Sequence, residues 1–279
     1  MKQKTKKLIL DALTYVFLIA ISAICLLPLY WMVRSSLMKL NQIFIMPPIW
    51  VPSPLVLENY VKAMTMVPFG RYFLNTIIIV VGGLSGTLIT ATMCGYAFAR
   101  LQWPGRNIVF ACIISSMMLP YAVTLIPTFL GWQMVGALDT FYPLVVPAWF
   151  GGGVFNIFLL RQFFRTIPLD LDEAALIDGA NYPTILLKII IPLTKPALIV
   201  VGLFTFMSYW NDFLGPLVYL NNEKMFTVSL GLTVFKGMYN AQWHLMMAAS
   251  TVVIAPVLVV FFIGQKYFIE GIALTGMKG

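Results

Sequence analysis

The chain has 279 residues, 60% of them hydrophobic and 10% charged, with mean hydropathy +0.90 and a formal net charge of +8. Soluble domains carry about 45–50% apolar and about 25% charged residues, so a water-soluble enzyme has nowhere to bury the excess, and disorder needs the opposite balance. The composition is that of an integral membrane protein, and its basic residues sit in short segments between apolar runs, where topology accounts for them and nucleic acid does not.

About 20 apolar residues cross the roughly 30 Å hydrocarbon core of a bilayer. Six runs qualify, at 8–33, 73–99, 107–130, 142–160, 196–220 and 246–269, and they predict an all-α membrane protein of six transmembrane helices. In the first, Lys2, Lys4, Lys6 and Lys7 precede a run from Leu8 to Val33. That run is too long for a signal-peptide core and has no small-x-small cleavage site, so it reads as an uncleaved helix. The loop to about residue 72, rich in Pro and aromatics around Pro47-Pro48 and Trp50, suits a folded extracytoplasmic segment. In the second run Gly82 and Gly86, like Ala91 and Gly95, stand four apart, a spacing that lets helices approach closely.

The fourth run is short, and Trp149, Gly151-Gly152-Gly153 and Asn156 lie in it. A hinge, an unwound cavity wall and close packing all fit the triple glycine. The fifth holds Tyr209, Trp210, Asn211 and Asp212, the aspartate about 24 Å along a helix counted from Pro196. Two readings fit these residues equally: a pathway for a polar solute, to which Asn156 would contribute, or an interfacial aromatic anchor with a polar network. Cys25, Cys94 and Cys112 lie in apolar runs outside any C-x-x-C pair, and His244 is the single histidine, so no metal site is expected. With both termini in the cytoplasm, twelve Lys/Arg fall inside and six outside, which sets the predicted orientation. The organisation expected is a first helix and outer loop (1–72), a five-helix core (73–270) and a short tail (271–279).

The segment from about 161 to 195, between the fourth and fifth runs, does not read as a plain loop. Asp170 suits an N-cap with Glu173 three residues on, and Gly179 suits a left-handed C-terminal stop followed by Pro183. Ala175 and Gly179 would leave one helix face nearly bare. Two readings fit again, a connector on the membrane surface or a helix that enters a groove on another protein, though surface connectors usually carry a basic polar face.

Glu173-Ala174-Ala175, Asp178-Gly179-Ala180, Ile189 and Pro192-Leu193 together resemble the cytoplasmic loop of binding-protein-dependent ABC importer permeases. Tyr209 through Leu217, and the ending from Tyr267 through Gly279, are similar to the carbohydrate-uptake branch, in particular to the six-span second permease of maltose-type systems. The resemblance implies a permease subunit of the bacterial cytoplasmic membrane. It would work with a second permease, two cytoplasmic ATPase subunits that bind the ATP and Mg, and an external solute-binding protein delivering a carbohydrate. It implies no catalytic residue and no cofactor in this chain, which has no G-x-x-x-x-G-K-[ST] phosphate loop. It also makes the helix near Leu171–Asp178 a coupling helix, with Glu173, Ala174, Ala175, Asp178, Gly179 and Pro192 at the ATPase contact, and Gly276, Lys278 and Gly279 as a second contact in the tail. For Gly179 the alternative is an ordinary helix cap, and for the tail a frayed end. The rival function is an ion-gradient-driven secondary transporter of a small polar solute. Such proteins commonly carry buried ionisable residues and paired repeats, and this chain shows one intramembrane acid and no evident repeat.

Overall fold

A computed structural model describes residues 2–237 and 241–276; its regular structure is helical, and no strand occurs among the described residues. Four helices are long and apolar enough to cross a membrane, and two bent helix pairs bring the number of possible spans to six. The chain divides into two compact units, Met1–Pro68 with Leu232–Ala255, and Phe69–Gly231 with Pro256–Gly279.

In the first unit α1 (Lys2–Ser36) is the first long apolar helix, and α2 (Glu58–Met66) follows a folded loop. The aromatic-rich segment is ordered, as its composition predicts. The buried Arg34 donates from Nε to the Ile49 carbonyl and lies 4.1 Å from the Trp31 ring centre, which in turn meets Trp50 edge-on. Asn59 Nδ2 donates to the carbonyls of Ser36 and Met38, both at 2.8 Å, tying α2 to the end of α1.

The second unit is built around α3 (Phe69–Arg100). The predicted third span is instead two helices, α4 (Arg106–Ser116) and α5 (Tyr121–Met134), bent by 98°. Pro120 stands at the break, where its missing N–H and fixed φ end the first helix's ladder. The fourth span is also interrupted. Here α6 (Tyr142–Val145) and a 3₁₀ turn (Val146–Trp149) lead to the three glycines, all at positive φ, before α7 (Val154–Phe164).

After α8 (Asp170–Ile177) and α9 (Tyr182–Ile185), a π-helical turn (Leu186–Ile190) and α10 (Ile191–Leu193) lead to α11 (Lys195–Trp210), bent by 82° from the segment before it. The fifth predicted run, 196–220, therefore breaks at Asn211 and resumes in α12 (Leu214–Tyr219). The short α13 (Val228–Gly231) ends this part of the unit, and α14 (Trp243–Gly276) is the last helix.

The small residues of α3 fix how closely its neighbours approach. A Cβ added at Gly82 would come 2.8 Å from Val145, one at Gly86 2.7 Å from the Trp149 ring, and one at Gly95 3.1 Å from Leu160. The predicted small-residue stripe is thus a seam against α6, the 3₁₀ turn and α7. Trp149 Nε1 donates across it to the Gly82 carbonyl (3.1 Å) and Thr90 Oγ1 to the Ala148 carbonyl (2.8 Å), so one carbonyl exposed by the interrupted fourth span is satisfied within protein.

Candidate functional site: the helix after α7 and the cavity on α7 and α11

The helix α8 begins one residue earlier than a cap at Asp170 requires. Leu169 is the N-cap, its carbonyl accepts from the N–H groups of Asp172 (2.8 Å) and Glu173 (3.1 Å), and no side chain caps the turn. Asp170 is consequently the first helical residue, which puts Glu173 one position too late for a capping box. What survives of the N-terminal pattern is electrostatic: Asp170, Asp172 and Glu173 crowd the positive end of the helix dipole.

The C-terminal stop forms as predicted. Gly179 sits at φ +82°, its N–H donates to the Leu176 carbonyl (3.0 Å), and the Ala180 N–H donates to that of Ala175 (2.9 Å). This pair of bonds is a Schellman closure with glycine in the left-handed position. Asn181 then caps α9 by accepting from the Thr184 N–H (3.0 Å), so Pro183 lies in the first turn of the next helix as well as beyond the last one.

The two faces of α8 differ in character. Asp172 and Ala175 are buried, Ala175 in a cluster with Phe164, Ile185 and Ile190. Glu173, Ala174, Ile177 and Asp178 are exposed and share a side of the helix, four residues apart in pairs. Beneath, Asp172 Oδ2 faces Arg100 Nε at 3.8 Å, and Arg100 Nη2 donates to the Ile167 carbonyl (2.8 Å). Burial pushes the Asp172 carboxyl above the usual range, and the Arg100 charge opposes that shift.

A separate cavity of about 400 Å³ opens between α3, α7 and α11. Its wall includes Thr87, Gly152, Asn156, Thr205, Ser208 and Tyr209. Asn156 Nδ2 donates to the Gly152 carbonyl (2.9 Å), and the Thr205 hydroxyl is buried with no hydrogen-bond partner among the described residues. Gly152, at φ +66°, lies so close to α3 that a Cβ there would stand 2.6 Å from the Thr87 carbonyl oxygen. Of the three roles open to the triple glycine, two coincide here: it packs closely and it walls a cavity.

The binding-protein-dependent transport system inner membrane component family model matches residues 88–273, two thirds of the chain, including α8 and most of the cavity wall. The chain belongs to that family. It is 30% identical to the diacetylchitobiose uptake system permease protein NgcG of Streptomyces coelicolor over 91% of its length and 85% of the relative's. It is also 30% identical to the trehalose/maltose transport system permease protein MalG of Thermococcus litoralis, over 94% of each chain. Among solved structures it matches a chain of a bacterial ABC transporter involved in import of the acidic polysaccharide alginate, with TM-score 0.82, 26% identity, and 93% and 96% of the two chains covered. A multi-pass inner-membrane location follows from the family together with the apolar helices.

Within this family member the sequence-predicted residues separate into groups. Glu173, Ala174, Asp178, Gly179 and Pro192 are all solvent-exposed, whereas Ala175 faces the protein's own core. Tyr209 and Asn156 meet at the cavity, but Trp210 does not. It is buried, stacked on Phe206 and edge-on to Phe73. Asn211 is exposed and bonds the Met207 carbonyl, while Asp212, beyond the end of α11, accepts from the Gly215 N–H (3.0 Å) at the start of α12. Gly276 is the final residue of α14, and Lys278 and Gly279 lie outside the described residues. Asp172, Arg100, Thr205 and Thr87 were not singled out by sequence. An acid in a helix's first turn reads as dipole complementarity, and only the fold brings Arg100, 72 positions earlier, beneath it.

Proposed function

We propose that this chain is the permease subunit of an ATP-driven ABC importer that translocates a sugar or oligosaccharide handed over by an external solute-binding protein. The observation that carries the reading is α8. Its inner face is anchored by Asp172 and Ala175, and its outer face presents Glu173, Ala174, Ile177 and Asp178 beside a tight glycine turn. A helix held from behind and exposed in front suits docking into a groove on a cytoplasmic ATPase. Closure of two such ATPases on ATP would then shift the spans between inward-open and outward-open states, because the closed dimer binds one of them better.

In this reading a second permease completes the pathway, both termini of this chain face the cytoplasm with α8, and the tail from Gly276 to Gly279 makes a further ATPase contact. ATP and Mg stay with the ATPases, and this chain carries no catalytic group of its own. The sugar assignment draws on the names of the relatives and on the cavity, whose wall combines the Tyr209 ring with the hydroxyls of Thr87, Thr205 and Ser208 and the Asn156 amide. Aromatic faces and neutral hydrogen-bonding groups match the ring and hydroxyls of a carbohydrate.

The test is uptake by proteoliposomes holding the chain with its co-expressed partners and loaded with ATP. Accumulation of a labelled oligosaccharide that needs both ATP and binding protein is expected, with loss of both uptake and ATPase copurification in Glu173→Lys. Uptake driven by an ion gradient without ATP would overturn the reading in favour of a secondary transporter.

A further inference from the structure

A second cavity, of about 550 Å³, lies where α3 ends, α4 begins and α7 ends, and the family assignment gives it no role. Four of its nine lining residues are arginines, Arg100, Arg106, Arg161 and Arg165, with Gln102 and Asn107 beside them and no acid. Each arginine stands at or next to the end of a candidate span: Arg100 closes Phe69–Arg100, Arg106 opens the bent pair, and Arg161 and Arg165 flank the end of Tyr142–Phe164. The four cations therefore collect at one membrane face.

Three of the four guanidinium groups are held in place, that of Arg100 by the bond to the Ile167 carbonyl already described. Arg106 Nη1 donates to the Leu101 carbonyl (2.8 Å), Arg161 Nε to the Phe98 carbonyl (3.3 Å), and the Arg161 guanidinium lies 4.1 Å from the Phe110 ring centre. These bonds engage one N–H of each, of the five that a guanidinium carries. Of the four, Arg100 is the one with an ion-pair partner among the described residues, Asp172. The first turn of α4 contains no acid and no side-chain cap, so its helix dipole adds to the positive field.

We propose that this cavity binds the phosphate-bearing headgroup of an anionic membrane lipid. Fixed arginine forks match phosphate oxygens in pairs, and basic pockets between the ends of membrane helices take anionic headgroups. An adjoining cavity of about 310 Å³ shares Gln102, Arg106 and Asn107 and adds Trp103 and the exposed Ile108, an aromatic and an aliphatic suited to the interface and the acyl chain. Arg100 lines the site and also faces Asp172 on α8, so lipid composition reaches α8 through one side chain. The proposal does not depend on the transported solute.

The experiment is native mass spectrometry of the full chain with its co-expressed partners, equilibrated in micelles containing phosphatidylglycerol and phosphatidylcholine. Wild type is expected to retain phosphatidylglycerol preferentially. Arg165→Gln, an exposed change that leaves the described carbonyl bonds in place, is expected to weaken retention about fivefold, and Arg161→Gln with Arg165→Gln to abolish the preference. Should the double variant fold poorly, Arg165→Gln alone decides. Equal retention of the two lipids, or a preference unchanged in Arg165→Gln, overturns the proposal. So does displacement of the lipid by millimolar inorganic phosphate, which would assign the site to a soluble anion. Loss of the ATPase from the Arg165→Gln complex with lipid retention intact would assign the arginines to a partner's carboxylates and overturn it too.

Discussion

Asp172 on α8 and Arg100 at the end of α3 face each other at 3.8 Å, both almost entirely out of solvent, and this charge pair joins α8 to the longest helix of its unit. The two partners are not equivalent. Removing one member of a buried pair leaves the other desolvated, but a carboxylate can escape by taking up a proton and a guanidinium cannot.

Replacing Asp172 by Ala leaves a permanent charge and is expected to cost about 3 kcal/mol of stability, the lower end of the range for broken buried pairs because Arg100 also borders a cavity. Replacing Arg100 by Ala should cost a similar amount at neutral pH, and that deficit should shrink on acidification as Asp172 protonates. Thermal unfolding of both variants in detergent across pH distinguishes them: the Asp172→Ala deficit does not shrink on acidification, because that variant has no carboxyl there to protonate.

The same site gives the wild-type protein a pH dependence of known sign. Burial raises the folded-state pKa of Asp172 above its unfolded value of about 3.9. Its contribution is therefore full below the unfolded value and is lost as pH rises through the folded one. Lowering the pH from neutral through the raised value should stabilise the α8 region relative to Asp172→Asn, as amide hydrogen exchange on α8 would report. Identical profiles would show that Asp172 does not titrate in that window.

Gly179→Ala meets no steric obstacle, since nothing lies within 4 Å of the added Cβ, but it forces an L-residue to φ +82°. The expected cost is about 1 kcal/mol of local stability, with Asn tolerated better than Ala. If Gly179 shapes an ATPase contact, Gly179→Ala should also lower ATPase copurification more than Gly136→Ala, another open positive-φ glycine, lowers it. Equal effects would reduce Gly179 to a helix cap.

Gly152 combines left-handed geometry with contact to the α3 backbone, whereas an added Cβ at Gly151 meets nothing nearer than 3.8 Å. Gly152→Ala should therefore destabilise by about 3 kcal/mol or more, the sum of backbone strain and overpacking. Gly151→Ala should cost about 1–2 kcal/mol, from strain alone. Denaturation midpoints that fail to separate the two would mean α3 and the glycine turn move apart at little cost.

Thr205→Val removes a buried hydroxyl that has no partner among the described residues, a change expected to leave stability the same or slightly higher. If that hydroxyl meets the solute, the KM for uptake should rise about fivefold, the worth of one hydrogen bond, while ATPase copurification is unchanged. Unaltered uptake kinetics would remove Thr205 from the pathway.

Much of this was legible in the sequence where one local rule decides. The left-handed stop at Gly179, the close packing at Gly82, Gly86 and Gly95, and the folded aromatic segment before α2 depend on residue type and spacing, and each forms. The errors fall where backbone geometry departs from a straight helix. Hydropathy averages over a run, so the 98° bend before Tyr121 and the stop at Trp210 did not register, and Asp212, read as lying within the fifth span, falls between α11 and α12. Side-chain facing failed by a smaller margin. Ala175 seemed part of an outer bare face, but a helix starting at Asp170 and seated on Phe164 turns it inward. Arg100 could not be paired with Asp172 from sequence because the two meet only through the packing of α3 on α7.

The turn at Gly151–Gly153 has a genetic consequence. All three residues occupy the mirror-image half of backbone space, which only an achiral residue enters freely. Every glycine codon begins with the same two bases, so any change at either brings in a chiral residue or a stop, and only third-base changes are silent. Three adjacent codons thereby resist amino-acid drift, Gly152 most of all, and the cavity's shape can change through Asn156, Thr205 or Tyr209 more readily than through the turn beside them.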